Sequence, residues 1–234
     1  MTCKNCQCPF HELEDENLAF STTDLNCLVT DAVKEISFGA GEVLFTQGQS
    51  SSSLYSISEG TVKITCHSTD GREQIVGLSS PGKLLVGLQS LDDDHYRYSA
   101  FAATDVRACK IQHRPLLAAV RHQPDVAIRL ISAINAQLAY SRSLMLVMGQ
   151  KCAAAKIASF IMLMAPRKDQ SNDRLTLPFS RNDLAEMLGL SEETVCRQMA
   201  SMKRHGVIYA PRGKMQVKDW GQLRGIAEGS PRSH

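Results

Sequence analysis

The chain has 234 residues, 43% of them hydrophobic and 21% charged, with a net charge of +2; this composition excludes wholesale disorder and fibrous or collagen-like structure. Its length suits a sensory domain joined to a small effector domain. The charge is unevenly divided, since residues 1–35 hold two lysines against seven carboxylates, a net of −5, while residues 175–225 hold eight lysines and arginines against five carboxylates, a net of +3. The C-terminal part is therefore the one suited to approach a polyanion. No basic, apolar leader opens the chain and no apolar run reaches the roughly 18 residues that span a bilayer, so a cytosolic protein without a membrane partner is expected. In that reducing setting the eight cysteines read as metal ligands, redox groups or small buried hydrophobes rather than as a disulfide framework.

The first twenty residues are cysteine-rich and then acidic, and Leu25 to Val33 suggests a short helix. From Ile36 to Ile111 the apolar period becomes two, in short β-prone runs such as Val43–Phe45, Leu54–Ile57, Thr61–Thr65 and Gln74–Leu78. Asp70-Gly71 between two such runs signals a hairpin, and many short strands at regular spacing predict an antiparallel barrel or sandwich. From Pro124 to about Gln150 there is no Gly or Pro before Gly149, which predicts one long helix. Ile131, Leu138 and Met145 recur every seventh residue, with Ile134 and Met148 three residues after the first and last, as in the seam of a dimer. Arg129, Gln137 and Arg142 are expected to flank that stripe. A further helix is predicted over Ala153 to Met164, before Pro166, and Cys66 and Cys152 are assigned to packing.

The segment from Phe179 to Arg204 carries the signs of two helices joined by a tight turn. Ser180 is placed to cap a helix with Leu184, Met187 and Leu188 inward; Gly189 ends it; Ser191 caps the next, whose buried face is Val195, Met199 and Met202. Ala185 is small where the two helices would cross. Gly206 to Tyr209 and Lys214 to Val217, around Pro211-Arg212-Gly213, read as a β-hairpin wing. On such a recognition helix Ser191, Glu193, Thr194, Cys196 and Arg197 lie at the exposed N-terminal end, where side chains meet base edges. Arg181, Lys203, Arg204, Arg212 and Lys214 would serve the phosphates.

From Leu25 to Leu223 the chain resembles the CRP/FNR superfamily of transcription regulators. The resemblance rests on Gly41-Glu42-Val43-Leu44-Phe45-Thr46-Gln47-Gly48, on Leu54 through Lys63, on Pro81-Gly82-Lys83 and on Leu190 through Arg197. It implies an α+β fold: an N-terminal antiparallel β-barrel like a cyclic-nucleotide-binding domain, a long dimerisation helix and a C-terminal winged helix-turn-helix. The expected divisions are a cysteine-containing segment at 1–24, the barrel at 25–122, the dimerisation helix at 123–151 and the DNA-binding domain at 152–234. Double-stranded DNA, a second copy of the chain and RNA polymerase are the partners implied.

The acidic residue and arginine with which the cyclic-AMP-binding branch holds its ligand are missing from Gly82–Leu88 and Tyr98-Ser99, and the haem ligands of the carbon-monoxide-sensing branch are replaced by apolar residues. The chain is more similar to the FNR branch, whose members hold an oxygen-labile [4Fe–4S] cluster on N-terminal cysteines and one late in the barrel. Cys3, Cys6, Cys8 and Cys109 are the corresponding thiols. Only Gln7 separates Cys6 from Cys8, a shorter spacing than the branch uses, so His11 and Cys27 stay open as the third N-terminal ligand, and a zinc site or thiol switch stays open as the rival to the cluster. A haem-bound gas or a small effector in the barrel is a further rival. The branch's Glu-x-x-Ser-Arg reading motif has Cys196 in place of serine; Glu193 and Arg197 imply TTGAT-like half-sites. An enzyme is not expected: no βαβ pattern surrounds Cys3 and Cys6, as a thiol oxidoreductase would need, and no acid–base constellation is evident.

Overall fold

The computed structural model describes residues 33–67, 73–81, 85–88, 93–150, 152–164, 180–209 and 215–229. They divide into two compact units, 1–139 and 140–234. The N-terminal unit contains β1 (Val33–Phe38), β2 (Val43–Phe45), β3 (Ser53–Glu59), β4 (Val62–His67), β5 (Glu73–Ser79), β6 (Leu85–Val86), β7 (Ser99–Ala102) and β8 (Val106–Gln112), followed by α1 (His113–His122) and the start of α2 (Pro124–Met148). The strands form two four-stranded antiparallel sheets, in the orders β1-β8-β3-β6 and β2-β7-β4-β5. The expected barrel is thus flattened into two facing sheets in the manner of a jelly roll. The β4–β5 hairpin pairs from Val62↔Ser79 to His67↔Glu73; its Asp70-Gly71 turn, Cys3, Cys6, Cys8, His11, Cys27, Arg212 and Lys214 lie outside the described residues, as does the helix expected before β1 except for Val33, which begins that strand.

Period-two alternation explains how both faces of the first sheet are used. Tyr55 and Ile57 of β3 and Val106 and Ala108 of β8 point between the sheets, where they meet Phe45, Val62, Ile64 and Ala100. Phe45 stacks on Tyr96 with ring centroids 3.8 Å apart and on Tyr55 at 5.8 Å. Burial, reinforced by Tyr96, pushes the Tyr55 hydroxyl up to about 12. The alternate residues Leu54 and Ile111 point the other way, into a second cluster with Leu116 and Ala119 of α1 and Val126 and Leu130 of α2. The helices therefore lie on the outer face of the first sheet.

Helix α2 is apolar on two faces. Val126, Leu130, Gln137 and Val147 are buried, at heptad spacing with the half-buried Ala133, Tyr140 and Leu144. Ile128, Ile131, Ile134, Leu138, Met145 and Leu146 form an exposed stripe on the other side, with Met145 71% exposed. Two expectations are corrected here. Gln137 belongs to the buried face, and Arg142, four residues after Leu138 and three before Met145, lies within the exposed stripe instead of flanking it, because positions three and four apart share a helix face. Cys152 is also corrected: it is exposed, and its sulfur accepts the backbone N–H of Ala155 at 3.3 Å, whereas Cys66 is half-buried on β4.

The C-terminal unit contains α3 (Ala153–Met164), α4 (Arg181–Leu188), α5 (Glu192–Arg204), the hairpin β9 (Ile208–Tyr209) with β10 (Gln216–Val217), and α6 (Trp220–Ala227). Ile157, Ala158, Phe160 and Ile161 bury one side of α3, against which α5 and α6 pack. Among the described residues no helix is long and apolar enough to cross a membrane.

At the junction of β8 and α1, His113 is buried, its backbone N–H bound to Ser52 O at 2.9 Å and its Nε2 without a partner among the described residues. Burial holds the imidazole below the ordinary histidine value, with a hydrogen bond to the Ser53 backbone opposing. Above about pH 6.5 neither the folded nor the unfolded imidazole is charged. Below it the unfolded chain takes up a proton that the folded chain refuses, so stability should fall as pH drops through about 6.5 and level off below the folded value. Thermal unfolding across pH 5–8 should show this slope in the native protein and a smaller one in His113→Gln.

Candidate nucleic-acid interface

Helices α4 and α5 are defined by their ends. The Ser180 hydroxyl accepts the N–H of Asp183 at 3.0 Å while the Asp183 carboxylate accepts the N–H of Ser180 at 2.8 Å, a reciprocal capping box. At the other end Gly189 adopts φ 61°, ψ 43°, the left-handed conformation that terminates α4 and turns the chain. Ser191 then accepts the N–H of Thr194 at 3.2 Å and donates its hydroxyl proton to Thr194 Oγ1 at 2.8 Å. Leu184, Ala185, Met187 and Leu188 of α4 meet Val195, Met199 and Met202 of α5 in a buried core. Lys156 of α3 reaches across to donate to the Leu188 carbonyl at 3.3 Å, satisfying an end-of-helix acceptor.

What this core leaves outside is one polar face. Glu193, Arg197, Ala200 and Arg204 recur at three- and four-residue spacing on exposed α5, and half-buried Cys196 borders them. Glu193 Oε1 stands 3.8 Å from Arg197 Nη1, with both side chains largely in solvent, a loose pair that another partner readily displaces. Arg181, the first residue of α4, donates from Nη1 to Cys196 Sγ at 3.3 Å. Lys203 and Arg204 are exposed in the last turn of α5. The antiparallel β9–β10 pair follows, Ile208↔Val217 and Tyr209↔Gln216, with exposed Tyr209 beneath Lys218 Nζ, 6.0 Å from the ring centroid.

Two capped helices of 8 and 13 residues, a left-handed turn, an exposed polar helix and a strand pair make a winged helix-turn-helix. Comparison with known proteins agrees. Residues 35–123 match the cyclic nucleotide-binding domain family and residues 155–226 the Crp-like helix-turn-helix domain family. The nitrogen fixation regulation protein FixK of Bradyrhizobium diazoefficiens is 30% identical over 83% of this chain and 82% of its own. The transcriptional activator protein FnrL of Cereibacter sphaeroides is 34% identical over 77% and 74%. The structure of FixK2 from Bradyrhizobium japonicum superposes with a TM-score of 0.75 at 25% identity, covering 83% of this chain and 96% of that one. The chain belongs to the CRP/FNR family.

It is accordingly a DNA-binding transcription regulator and not an enzyme. In this CRP/FNR regulator, the sequence-expected residues Arg181, Ser191, Glu193, Thr194, Cys196, Arg197 and Lys203 all fall on the helix-turn-helix. Tyr209 on β9 and Lys218 just after β10 are not singled out by the sequence; an aromatic exposed beside a lysine becomes visible only once the hairpin is formed. Cys109 lies in the other unit, buried on β8. Among the described residues no group of three or more His, Cys, Asp or Glu is arranged so that it could hold a metal ion.

Because the caps fix the angle at which α5 is presented, Ser180→Ala and Ser191→Ala should each lower unfolding stability by about 1 kcal/mol. Chemical denaturation of the single and double variants checks this; a cost below about 0.3 kcal/mol would mean that neighbouring packing, not the caps, sets the helix starts.

Proposed function

We propose that this regulator senses oxygen or nitric oxide through a [4Fe–4S] cluster held by Cys3, Cys6, Cys8 and Cys109, and that the loaded protein favours a dimer binding a palindrome of TTGAT-like half-sites. The observation that carries the reading is the position of Cys109. It is 2% exposed and pairs in register with Glu35 of β1 and Ser56 of β3. Alternation puts it on the outer face with Ile111, away from Val106 and Ala108. Val33, where the N-terminal segment enters the sheet, pairs with Ile111, two residues or about 7 Å along β8 from Cys109. The 24 residues between Cys8 and Val33 span up to about 80 Å when extended, so the thiols of the first residues are within reach of that point.

The donor set fits, since four thiolates suit a cubane cluster and Cys109 supplies one from a protected position; Cys27 and His11 are the alternatives for the third N-terminal ligand. When bound, such a cluster would supply an oxygen- and nitric-oxide-reactive centre. The residues of the chain would relay its presence: Ile111, on the same face of β8 as Cys109, belongs to the cluster of Leu116, Val126 and Leu130, so that face meets the start of α2 through Ile111. Between the sheets, Phe38, Phe45, Tyr55 and Tyr96 pack on one another, which favours a signal entering on the outer face over an effector bound inside.

At the output, Glu193 and Arg197 would read base edges with Ser191 and Thr194 beside them at the helix start, and Lys203, Arg204, Arg212 and Lys214 would meet phosphates. A second copy of the chain would cover Ile131, Ile134, Leu138 and Met145, since an exposed heptad stripe is what a parallel helix pair buries; Met148, expected in that seam, is instead half-buried, with its Cε close to Gly189, and lies on the side of α2 that carries Leu130 and Gln137. RNA polymerase is the further partner that the reading implies.

Protein purified without oxygen should carry about four irons and matching sulfide per chain, lost in Cys109→Ser and in the serine variant of each true N-terminal ligand. Iron-free protein after anaerobic reconstitution would discard the cluster; zinc or a Soret band would point to the zinc or haem alternatives. Leu138→Glu should convert the dimer to monomer in sedimentation equilibrium and abolish binding to a palindrome, because it places like charges opposite each other in the seam.

A further inference from the structure

An arginine at the first position of the leading helix of a helix-turn-helix stands beside the DNA backbone, and a free one there is expected to hold a phosphate. Arg181 is not free. Its Nη1 donates to Cys196 Sγ at 3.3 Å, and Cys196 lies in the N-terminal half of α5, three residues after Glu193 and one before Arg197. The guanidinium is thereby drawn over the part of α5 that faces base edges, on the opposite side of Glu193 from Arg197. Ala200, one turn beyond Cys196 and exposed, has no side chain long enough to obstruct it. A guanidinium has five N–H groups, so the bond to sulfur leaves enough for a bidentate contact to guanine O6 and N7. The thiol, a weak donor and weak acceptor, is poorly suited to read a base alone.

We propose that Arg181 is a base-reading residue of this regulator and that Cys196 is the residue that positions it. The pair fixes the arginine rotamer before DNA arrives, so that ordering the side chain is no longer a cost of binding. This rests on the placement of α5 in the major groove, and the experiment separates the two claims.

The full chain, purified without oxygen, is used to select sites from a randomised duplex, and affinities are measured for the selected site and each of its single base-pair variants at two salt concentrations. Arg181→Ala should lose about ten-fold of discrimination at one base pair of each half-site. Cys196→Ala should lose discrimination at that same base pair, the double variant should be no worse than Arg181→Ala, and Cys196→Ser should retain it because a hydroxyl also accepts the Nη1–H bond. The proposal is overturned if Arg181→Ala weakens all sequences alike with a shallower salt dependence, the behaviour of a phosphate contact, or if Cys196→Ala leaves the preference unchanged. Arg197→Ala is the control. If it too leaves every base preference intact, the placement of α5 itself fails, which is a different result from a fault confined to Arg181 and Cys196.

Discussion

The sheet β1-β8-β3-β6 has to bury both of its faces. A strand with one face in solvent alternates apolar and polar residues, but β3 is buried at five consecutive positions, Ser53 to Ile57. One face is met by the second sheet through the aromatic packing of Phe45, Tyr55 and Tyr96. The other has to be met by something that follows in the chain, and α1 and the start of α2 do this through Leu116, Ala119, Val126 and Leu130. The long helix is thus tied at its N-terminal end to the same surface of β8 that carries Cys109. On the proposed reading, a change of packing on that surface would reach the base of α2 through Ile111, because close-packed interiors transmit displacement instead of absorbing it.

The second consequence concerns α2 itself. A helix with apolar residues on opposite sides has little amphipathic character, so propensity and a single stripe are not enough to describe it. Its buried stripe contains Gln137 and its exposed stripe contains Asn135 and Arg142, so neither is a pure hydrophobic seam. Polar residues at such positions lower the stability of helix pairing while restricting its register.

The parts legible in the sequence were those determined by neighbouring residues. Ser180, Asp183, Gly189 and Ser191 act over three or four positions, so the starts and stops of α4 and α5 and the bounds of α3 could be read directly. The two-sheet division of the jelly roll could not, because pairing β1 with β8 joins residues more than 65 positions apart. Helix α1 was obscured by Pro115, which sits without penalty in a first turn, and α6 by its glycines, although Asp219 caps it by accepting the N–H of Gln222 at 2.8 Å. Arg142 and Gln137 were misplaced because a charged or amide side chain signals a flank only when the helix has one apolar face. Cys152 was misplaced because its sulfur serves a helix end, a role that hydrophobicity does not reveal.

On the proposed reading, the weakness of the α2 seam is what makes the signal effective. A signal can shift an equilibrium only by its differential free energy for the two states, and moving a population from about 1:99 to 99:1 already takes about 5.5 kcal/mol. An exposed stripe made wholly of residues like Ile131, Leu138 and Met145 would pair whether or not Cys109 were engaged, leaving nothing for the sensory unit to decide. With Asn135 and Arg142 on the same face, pairing would be weaker, so that a smaller change at the root of the helix would tip it. The DNA then adds its own term, since two recognition helices held one turn apart bind a palindrome jointly and each half-site contact stabilises the paired form. Sensing and reading would in this way be coupled through one helix, with no contact between the sensory surface and the DNA required.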